Sequence, residues 1–229
     1  MRHSIALLLF AQNAKKDVSH KKNLWSSTVR QTTSVFQYLT KHTFQTAKAA
    51  QLPLFFSSDL SNELDSFERQ LTTSIKSILD KGFQSVICIG NDCPQLTVNI
   101  LQKTTTQLRN GQSVIGPDMR GGVYLIGIRS EDFQVDIFEK LPWKTAQLCE
   151  SLGQILGTKT HFLPVLADIN AEIDLYTWAK NNKIGKPFQE LLLSLLTVIV
   201  LTIVVSQSHF CVSFHQTSDC LRPPPALLR

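Results

Sequence analysis

The sequence has little of what marks a secreted, disulfide-bonded or nucleic-acid-binding protein. Its five cysteines form no C-x-x-C pair, and their odd number favours reduced thiols in a cytoplasmic protein over a disulfide framework. A net charge of +5 over 229 residues is modest, so nucleic acid is not an expected partner. The apolar stretch 5–11 has no small-residue cleavage site and leads into two lysines, so we interpret it as a strand rather than a signal peptide.

Long hydrophobic runs are also scarce. The most apolar stretch, residues 191–205, falls short of the roughly twenty apolar residues that a membrane-spanning helix needs, so a membrane anchor is not expected. No charged residue lies between Glu190 and Asp219, and we interpret this segment as an element that packs on the domain or on a second copy in a homodimer. The chain is predicted to form one domain over 1–183, followed by a hydrophobic extension and a loosely ordered tail over 184–229.

Acidic residues are nearly absent from the first fifty positions, which hold eight Lys or Arg and one acid, Asp17. The predicted loop 12–23 carries Lys15, Lys21 and Lys22 and no glycine. In a parallel sheet this loop lies at the carboxyl edge, where the lysines are predicted to contact phosphate oxygens. A solvated loop with incidental lysines is the alternative. The lack of glycine counts against a backbone cradle for a triphosphate.

Apolar periodicity predicts an alternation of strands and helices. Apolar runs at 5–11, 52–57 and 85–90 are typical of buried strands, whereas repeats of three and four residues at 25–49 and 64–79 are typical of amphipathic helices. The remaining predicted elements are helices over 97–109, 146–156 and 171–180 and strands over 113–116, 123–128 and 160–163. This order predicts an α/β fold with a mostly parallel central sheet and helices on both faces.

A turn with the sequence Gly-Asn-Asp-Cys-Pro follows the third predicted strand at residues 90–94. Ligands of open α/β sheets bind beyond the carboxyl ends of the strands, which is where Asp92 lies. A carboxylate there, beside Asn91, is suited to hold a divalent cation through oxygen. The alternative is structural, since Asp92 could cap the helix beginning near Thr97 or organise an Asx turn. Cys93 is a less favoured candidate for a nucleophile, because no base is fixed near it in the sequence.

A second turn, at residues 116–122, lies between two further predicted strands. Gly121 and Gly122 allow positive φ angles or the close approach of a ligand to the backbone, which residues with a Cβ do not permit cheaply. We therefore interpret them as part of a binding site. The alternative is an ordinary hairpin turn that is rich in glycine and proline.

Two later segments supply further candidate site residues. In Leu-Pro-Trp-Lys-Thr at 141–145, Trp143 is predicted to stack on a base or sugar and Thr145 to offer a hydroxyl, with a core anchor as an equally good interpretation of the tryptophan. Asp168 and Asn170 precede the last predicted helix, and an asparagine caps such a helix as well as an aspartate does.

Four motifs in this order resemble the radical-SAM/selenodomain-associated transferase family, which is glycosyltransferase-like and belongs to the nucleotide-diphospho-sugar transferase superfamily. They are Ile-Gly-Asn-Asp-Cys-Pro-Gln-Leu-Thr at 89–97, Gly-Pro at 116–117, Gly-Gly-Val-Tyr-Leu-Ile-Gly at 121–127 and Pro-Trp-Lys-Thr at 142–145. The resemblance implies a GT-A fold, a three-layer sandwich, and a site for a nucleotide-diphospho sugar. Relatives show Asp-x-Asp at 168–170, so it also implies that Asp168 is a second ligand or a base.

Two departures from the family pattern remove carboxylates. Asn170 replaces the second aspartate of Asp-x-Asp, and Arg120 stands where many relatives have an acid before the two glycines. Asp118 is a possible replacement ligand, and Arg120 is suited to contact phosphate.

The resulting hypothesis is a glycosyltransferase-like enzyme that transfers a sugar from a nucleotide-diphospho sugar to a small-molecule acceptor. A divalent metal, Mg²⁺ or Mn²⁺, would be held by Asp92 on the diphosphate. The first alternative is nucleotidyl transfer, because Asp-x-Pro-x-Leu at 92–96 also resembles the guanylyltransferases of molybdenum-cofactor and phospholactate chemistry. The second is a non-catalytic member of the family that binds a nucleotide or a protein partner.

Overall fold

The computed structural model describes residues 5–11, 29–62 and 64–181, which form a six-stranded sheet with helices on both faces. The strands are β1 (Ile5–Leu9), β2 (Leu54–Phe56), β3 (Ser85–Ile89), β4 (Val114–Pro117), β5 (Val123–Arg129) and β6 (His161–Phe162). The helices are α1 (Val29–Ala49), α2 (Phe67–Leu79), α3 (Val98–Arg109), α4 (Val135–Glu139), α5 (Leu148–Leu156) and α6 (Glu172–Asn181). Short 3-10 turns, Ser57–Asp59 and Ser130–Asp132, follow β2 and β5.

The strands lie in the order β2, β1, β3, β5, β4, β6. β1 pairs in parallel with β2 and β3, and β4 pairs in parallel with β6. β5 runs antiparallel to both of its neighbours, β3 and β4. β4 and β5 therefore form a hairpin, which was the alternative interpretation of the turn at 116–122. The predicted mostly parallel sheet is confirmed. Because β1, β3 and β4 point in the same direction, the segments that follow them reach the same edge of the sheet.

Side chains along β1 alternate between two apolar layers. Ala6 and Leu8 pack with side chains of α2, α4 and α5, whereas Ile5, Leu7 and Leu9 pack with those of α1 and α3. None of the five is more than 3% exposed. The strand is apolar without interruption because helices cover both of its faces, and burying each leucine or isoleucine contributes about 1.5–3 kcal/mol.

The predicted start of α1 lies outside the described residues, whereas α3, α5 and α6 begin within two residues of their predicted starts and α2 begins later than predicted. This helix starts at Phe67 because the hydroxyl of Ser66 caps it by accepting the N–H of Arg69. Leu64, predicted as the first core residue of the helical stripe, lies before this cap and is 92% exposed, so that part of the prediction was wrong. α3 is capped in the same way by Thr97.

Several predictions concern parts of the chain outside the described residues. Lys15, Lys21 and Lys22 lie in one such part, as do the hydrophobic extension and its suggested role in a homodimer. These remain predictions. Within the described ranges, no helix combines the length and the apolar character that crossing a bilayer requires.

Candidate functional site

A cavity of about 770 Å³ opens at the sheet edge where β1, β3 and β4 end. The aromatic side chains that line it are Phe10, Phe67, Tyr124 and Trp143. The polar and charged side chains that line it are Asn91, Asp92, Asp118, Arg120, Lys144, Thr145, Asp168 and Asn170. The volume lies in the usual range for small-molecule sites, about 300–1,000 Å³. Residues from three of the four motifs therefore meet in one place, and neither residue of the Gly-Pro motif at 116–117 lines the cavity.

The first turn presents the carboxylate of Asp92 to the cavity. Asp92 is half-buried, and its side chain folds back over Gly90, where a Cβ would lie 2.9 Å from the carboxylate Oδ1. Asn91 is buried and donates from its amide to the hydroxyl of Thr40 at 2.8 Å. Because Thr97 caps α3, the alternative that Asp92 caps that helix is wrong.

Segment 164–170 joins the first turn to the end of β4. The main-chain N–H of Ile169 donates to the carbonyl of Asp92 at 2.7 Å, and the N–H of Ala167 donates to the side chain of Gln95 at 3.0 Å. Farther along the sheet edge, the N–H of Leu166 donates to the carbonyl of the last residue of β4 at 3.2 Å. These hydrogen bonds fix the segment across the edge of the sheet and so bring Asp168 to the cavity.

The thiol of Cys93 lies close to the carboxylates of both Asp92 and Asp168. Burial raises the pKa of this thiol, and the negative charges of Asp168 and Asp92 raise it further. Cys93 is therefore held as a protonated thiol, whereas a cysteine nucleophile must be a thiolate. The nucleophilic role considered for Cys93 is not supported. The same shift indicates that the two carboxylates converge on one region.

In the described part of the chain, no group of three or more His, Cys, Asp or Glu side chains is arranged to hold a metal ion. Such a group is not required by every divalent cation. Mg²⁺ commonly binds through one or two carboxylates and completes its shell with water and substrate phosphates. Asp92 and Asp168 are carboxylates that line the cavity, and a cation held there stays a prediction.

Asp118 organises the second turn. Its Oδ1 accepts main-chain N–H groups from Arg120 at 2.6 Å and from Gly122 at 2.8 Å. Gly122 lines the cavity, whereas Gly121 is not among the lining residues, and a Cβ on Gly121 would lie 2.1 Å from the carbonyl oxygen of Ala146. With a φ of +84° as well, the glycine at 121 is required by the packing of the turn on the segment before α5. No ligand is needed to account for it.

Arg120 forms an ion pair with a carboxylate of the last helix. Its guanidinium donates to Asp174 at 2.5 Å, and the other oxygen of Asp174 accepts the main-chain N–H groups of Asn170 and Ala171 at 3.0 and 2.8 Å. Asp174 therefore caps the start of α6 and fixes Arg120 to it. The sequence suggested a phosphate contact for Arg120, and this ion pair competes with that role.

The Pro-Trp-Lys-Thr segment forms a tight turn beside the Gly-Gly turn. Trp143 is 8% exposed and donates its indole N–H to the carbonyl of Phe138 at 2.7 Å, so it is a core anchor whose ring also reaches the cavity. The hydroxyl of Thr145 donates to the carbonyl of Pro142 at 2.7 Å. Lys144 lines the cavity and was not assigned a role from the sequence. Its position inside the Pro-Trp-Lys-Thr motif was the sequence signal that could have identified it as a candidate.

Residues 27–145 match the model of a protein family that is described as an uncharacterized protein conserved in bacteria (DUF2064). The match covers more than half of the 229 residues and includes the turns at 90–94 and 116–122 and the segment 141–145. The chain belongs to this family. No curated protein matches the chain significantly.

Several solved structures are similar to the chain, among them the following two. One is a candidate nucleotide-diphospho-sugar transferase from Desulfovibrio desulfuricans G20, with a TM-score of 0.65 and 17% identity over 85% of this chain and 94% of that one. The other is a homologue of Mycobacterium tuberculosis rv0371c from Mycobacterium sp. strain JC1, with a TM-score of 0.50 and 13% identity over 86% of this chain and 100% of that one. At these identities the similarity shows the fold, and the predicted GT-A-like architecture is confirmed. The narrower resemblance to radical-SAM/selenodomain-associated transferases remains a prediction.

Proposed function

We propose that the protein binds a nucleotide-diphospho sugar in this cavity and transfers the sugar to an acceptor hydroxyl. The observation that carries the proposal is the convergence of Asp92 and Asp168 with the Gly-Gly and Pro-Trp-Lys-Thr turns around one cavity of about 770 Å³. The cavity lies at the carboxyl edge of the sheet, where α/β proteins bind nucleotides. The similarity in fold to a candidate nucleotide-diphospho-sugar transferase supports the same substrate class.

The walls of the cavity divide between apolar and charged groups in a way that suits such a ligand. The rings of Phe10, Phe67 and Trp143 form an apolar wall, and a base or sugar can pack on it. The lining also carries Asp92 and Asp168. Under this proposal, the diphosphate binds the cation on Asp92, and Lys15, Lys21 and Lys22, which lie outside the described residues, are proposed to contact its oxygens.

Asp92 is proposed to hold a divalent cation, Mg²⁺ or Mn²⁺. A single carboxylate fits a cation that completes its shell with water and substrate phosphates. Such a cation would neutralise the negative charge that develops on the departing nucleoside diphosphate.

The proposed reaction is a displacement at the anomeric carbon. The acceptor oxygen forms a bond to this carbon while the bond to the diphosphate oxygen breaks, and its electron pair leaves on the nucleoside diphosphate. The proton of the acceptor hydroxyl passes to a carboxylate, for which we propose Asp168. Half-burial beside the cavity suits this role because the carboxylate keeps access to the ligand.

The first test is calorimetric titration of the full chain with a panel of UDP-, GDP-, ADP- and dTDP-sugars, with Mn²⁺ present. We expect at least one to bind, and we expect Asp92→Asn to weaken that binding by about tenfold or more, the loss of about 1.4 kcal/mol or more. Asp80→Asn is the matched control, because Asp80 is exposed and lies just before β3, at the opposite edge of the sheet. Equal affinities for the two variants in the presence of Mn²⁺ would refute the role of Asp92.

The second test separates transfer of the sugar from nucleotidyl transfer. Slow release of nucleoside diphosphate from the bound nucleotide sugar, with water as acceptor, is the expected result. The Asp-x-Pro-x-Leu string at 92–96 favours nucleotidyl transfer as the second candidate, and release of pyrophosphate from a nucleoside triphosphate would identify it. Binding with neither product would instead indicate a non-catalytic protein.

A further inference from the structure

Lys144 has an uncommon backbone conformation at the wall of the cavity. Its φ is +60°, in the left-handed region that side chains other than glycine, asparagine and aspartate rarely adopt. A lysine has no short polar group with which to stabilise this conformation locally. Strained residues of this kind persist where the surrounding structure fixes them, and they concentrate at binding sites.

The turn around Lys144 is fixed by hydrogen bonds on both sides. The main-chain N–H of Trp143 donates to the carbonyl of Leu141 at 2.7 Å, and the hydroxyl of Thr145 accepts the N–H of Gln147 at 3.2 Å while donating to Pro142. The turn then packs against the Gly-Gly turn, where the N–H of Cys149 donates to the carbonyl of Gly121 at 2.9 Å. The Gly-Gly turn at 121–122 and the Pro-Trp-Lys-Thr turn at 142–145, here called the two motif turns, therefore pack on each other and hold Lys144 at the cavity.

The ammonium group of Lys144 is held by an aromatic ring rather than by a carboxylate. It lies 4.7 Å from the centre of the Phe67 ring, and no carboxylate of the described residues lies within ion-pair distance of it. Phe67 in turn packs edge-on against Phe10 and Trp143. A cation on an aromatic face keeps its full charge and its hydrogen-bond donors for a ligand.

Lys144 and Arg120 are the two cationic side chains among the described residues that line this cavity. Arg120 forms an ion pair with Asp174, whereas Lys144 lies beyond ion-pair distance of the acids among the described residues. A main-chain hydrogen bond lowers the pKa of the Glu68 carboxyl, and the more distant charge of Lys144 lowers it further. We propose that Lys144 is the residue that binds the phosphates of the ligand on the wall formed by the two motif turns. This inference rests on the proposed function, since it assigns the diphosphate of the nucleotide sugar to a named side chain.

The experiment compares Lys144→Gln with Lys140→Gln by calorimetry, using a nucleotide sugar that binds the wild type, the matching nucleoside and inorganic pyrophosphate. Lys140 is the matched control because it is exposed, lies four residues earlier and does not line the cavity. Loss of a charge-assisted hydrogen bond predicts about tenfold weaker binding of both phosphate ligands by Lys144→Gln, and less than about twofold change for the nucleoside. Lys140→Gln is expected to bind all three like the wild type.

A third variant separates binding from folding. Lys144→Gly removes the ammonium group and also the steric cost of a positive φ, so its thermal midpoint is expected to rise while its affinity for pyrophosphate falls. Lys144→Gln with wild-type affinity for the phosphate ligands, or with equal losses for nucleoside and nucleotide sugar, would overturn the inference and leave the proposed function intact. If the wild type binds no nucleotide sugar, the proposed function fails and the inference fails with it.

Discussion

Replacing Gly121 by alanine tests whether this glycine is required by the packing of the turn or by a ligand. Gly121 has a φ of +84°, which costs an L-residue about 1–2 kcal/mol. The new Cβ would also lie 2.1 Å from the carbonyl oxygen of Ala146, so the chain must shift there. That shift breaks the 2.9 Å hydrogen bond from Cys149 to Gly121, at a further cost of about 1–3 kcal/mol. We expect a total loss of about 2–5 kcal/mol.

The assay is urea unfolding of the ligand-free protein. With a slope of about 2 kcal/mol per molar, the expected loss lowers the unfolding midpoint of Gly121→Ala by about 1–2.5 M. Gly82→Ala is the control, because Gly82 has a φ of +91° but nothing within 4 Å of its ideal Cβ. It carries the conformational cost without the collision, so its midpoint is expected to fall by about 0.5–1 M. Equal midpoints for the two variants would refute the packing argument. They would favour the original interpretation of Gly121 as a binding residue.

Three further predictions concern side chains whose roles the structure fixes. Asp118→Ala removes the acceptor of two main-chain amides and is expected to cost about 2 kcal/mol in urea unfolding, whereas Asp118→Asn, which keeps an acceptor oxygen, should cost less than half as much. Burial alone would raise the pKa of Asp132, but hydrogen bonds from Arg129 and Ser113 outweigh it and lower the pKa. The folded pKa lies below the unfolded value, so the charged carboxylate of Asp132 stabilises the fold above about pH 5. The difference in stability between the wild type and Asp132→Asn is therefore expected in full above that pH and is expected to vanish as the pH falls through the folded pKa. A difference in stability that does not depend on pH would contradict this. Iodoacetamide at pH 8 should leave Cys93 unlabelled in the native protein and label it in urea, as read by peptide mass spectrometry, because a buried, protonated thiol is unreactive.

Most of the fold could be predicted because each element carries its own signal. The apolar run of β1 indicates burial on both faces, and the three- and four-residue repeat of α2 indicates one apolar stripe. Element boundaries were less certain at polar ends. Leu64 fits the period of α2, but the cap at Ser66 starts the helix after it and leaves that leucine in solvent.

The candidate site could be predicted only in part. Asp92 was expected at this sheet edge from strand order and Asp168 was a candidate from the family resemblance, and both line the cavity. Lys144 and Phe67 were not expected there, because the cation–π contact joins residues 77 positions apart in the sequence. The pairing of Arg120 with Asp174, 54 residues away, was likewise invisible. A local sequence pattern does not indicate which distant side chains come into contact when the chain folds.

The sequence by itself determined the layers of the sandwich and the edge at which ligands are proposed to bind, since apolar periodicity and the order of strands and helices depend on neighbours in the chain. Only the tertiary structure decided which polar groups remain available at that edge. Gly121 and Arg120 read alike as binding residues in the sequence, yet one packs against Ala146 and the other pairs with Asp174. Hydrogen bonds and ion pairs between distant segments depend on distances that the chain acquires on folding.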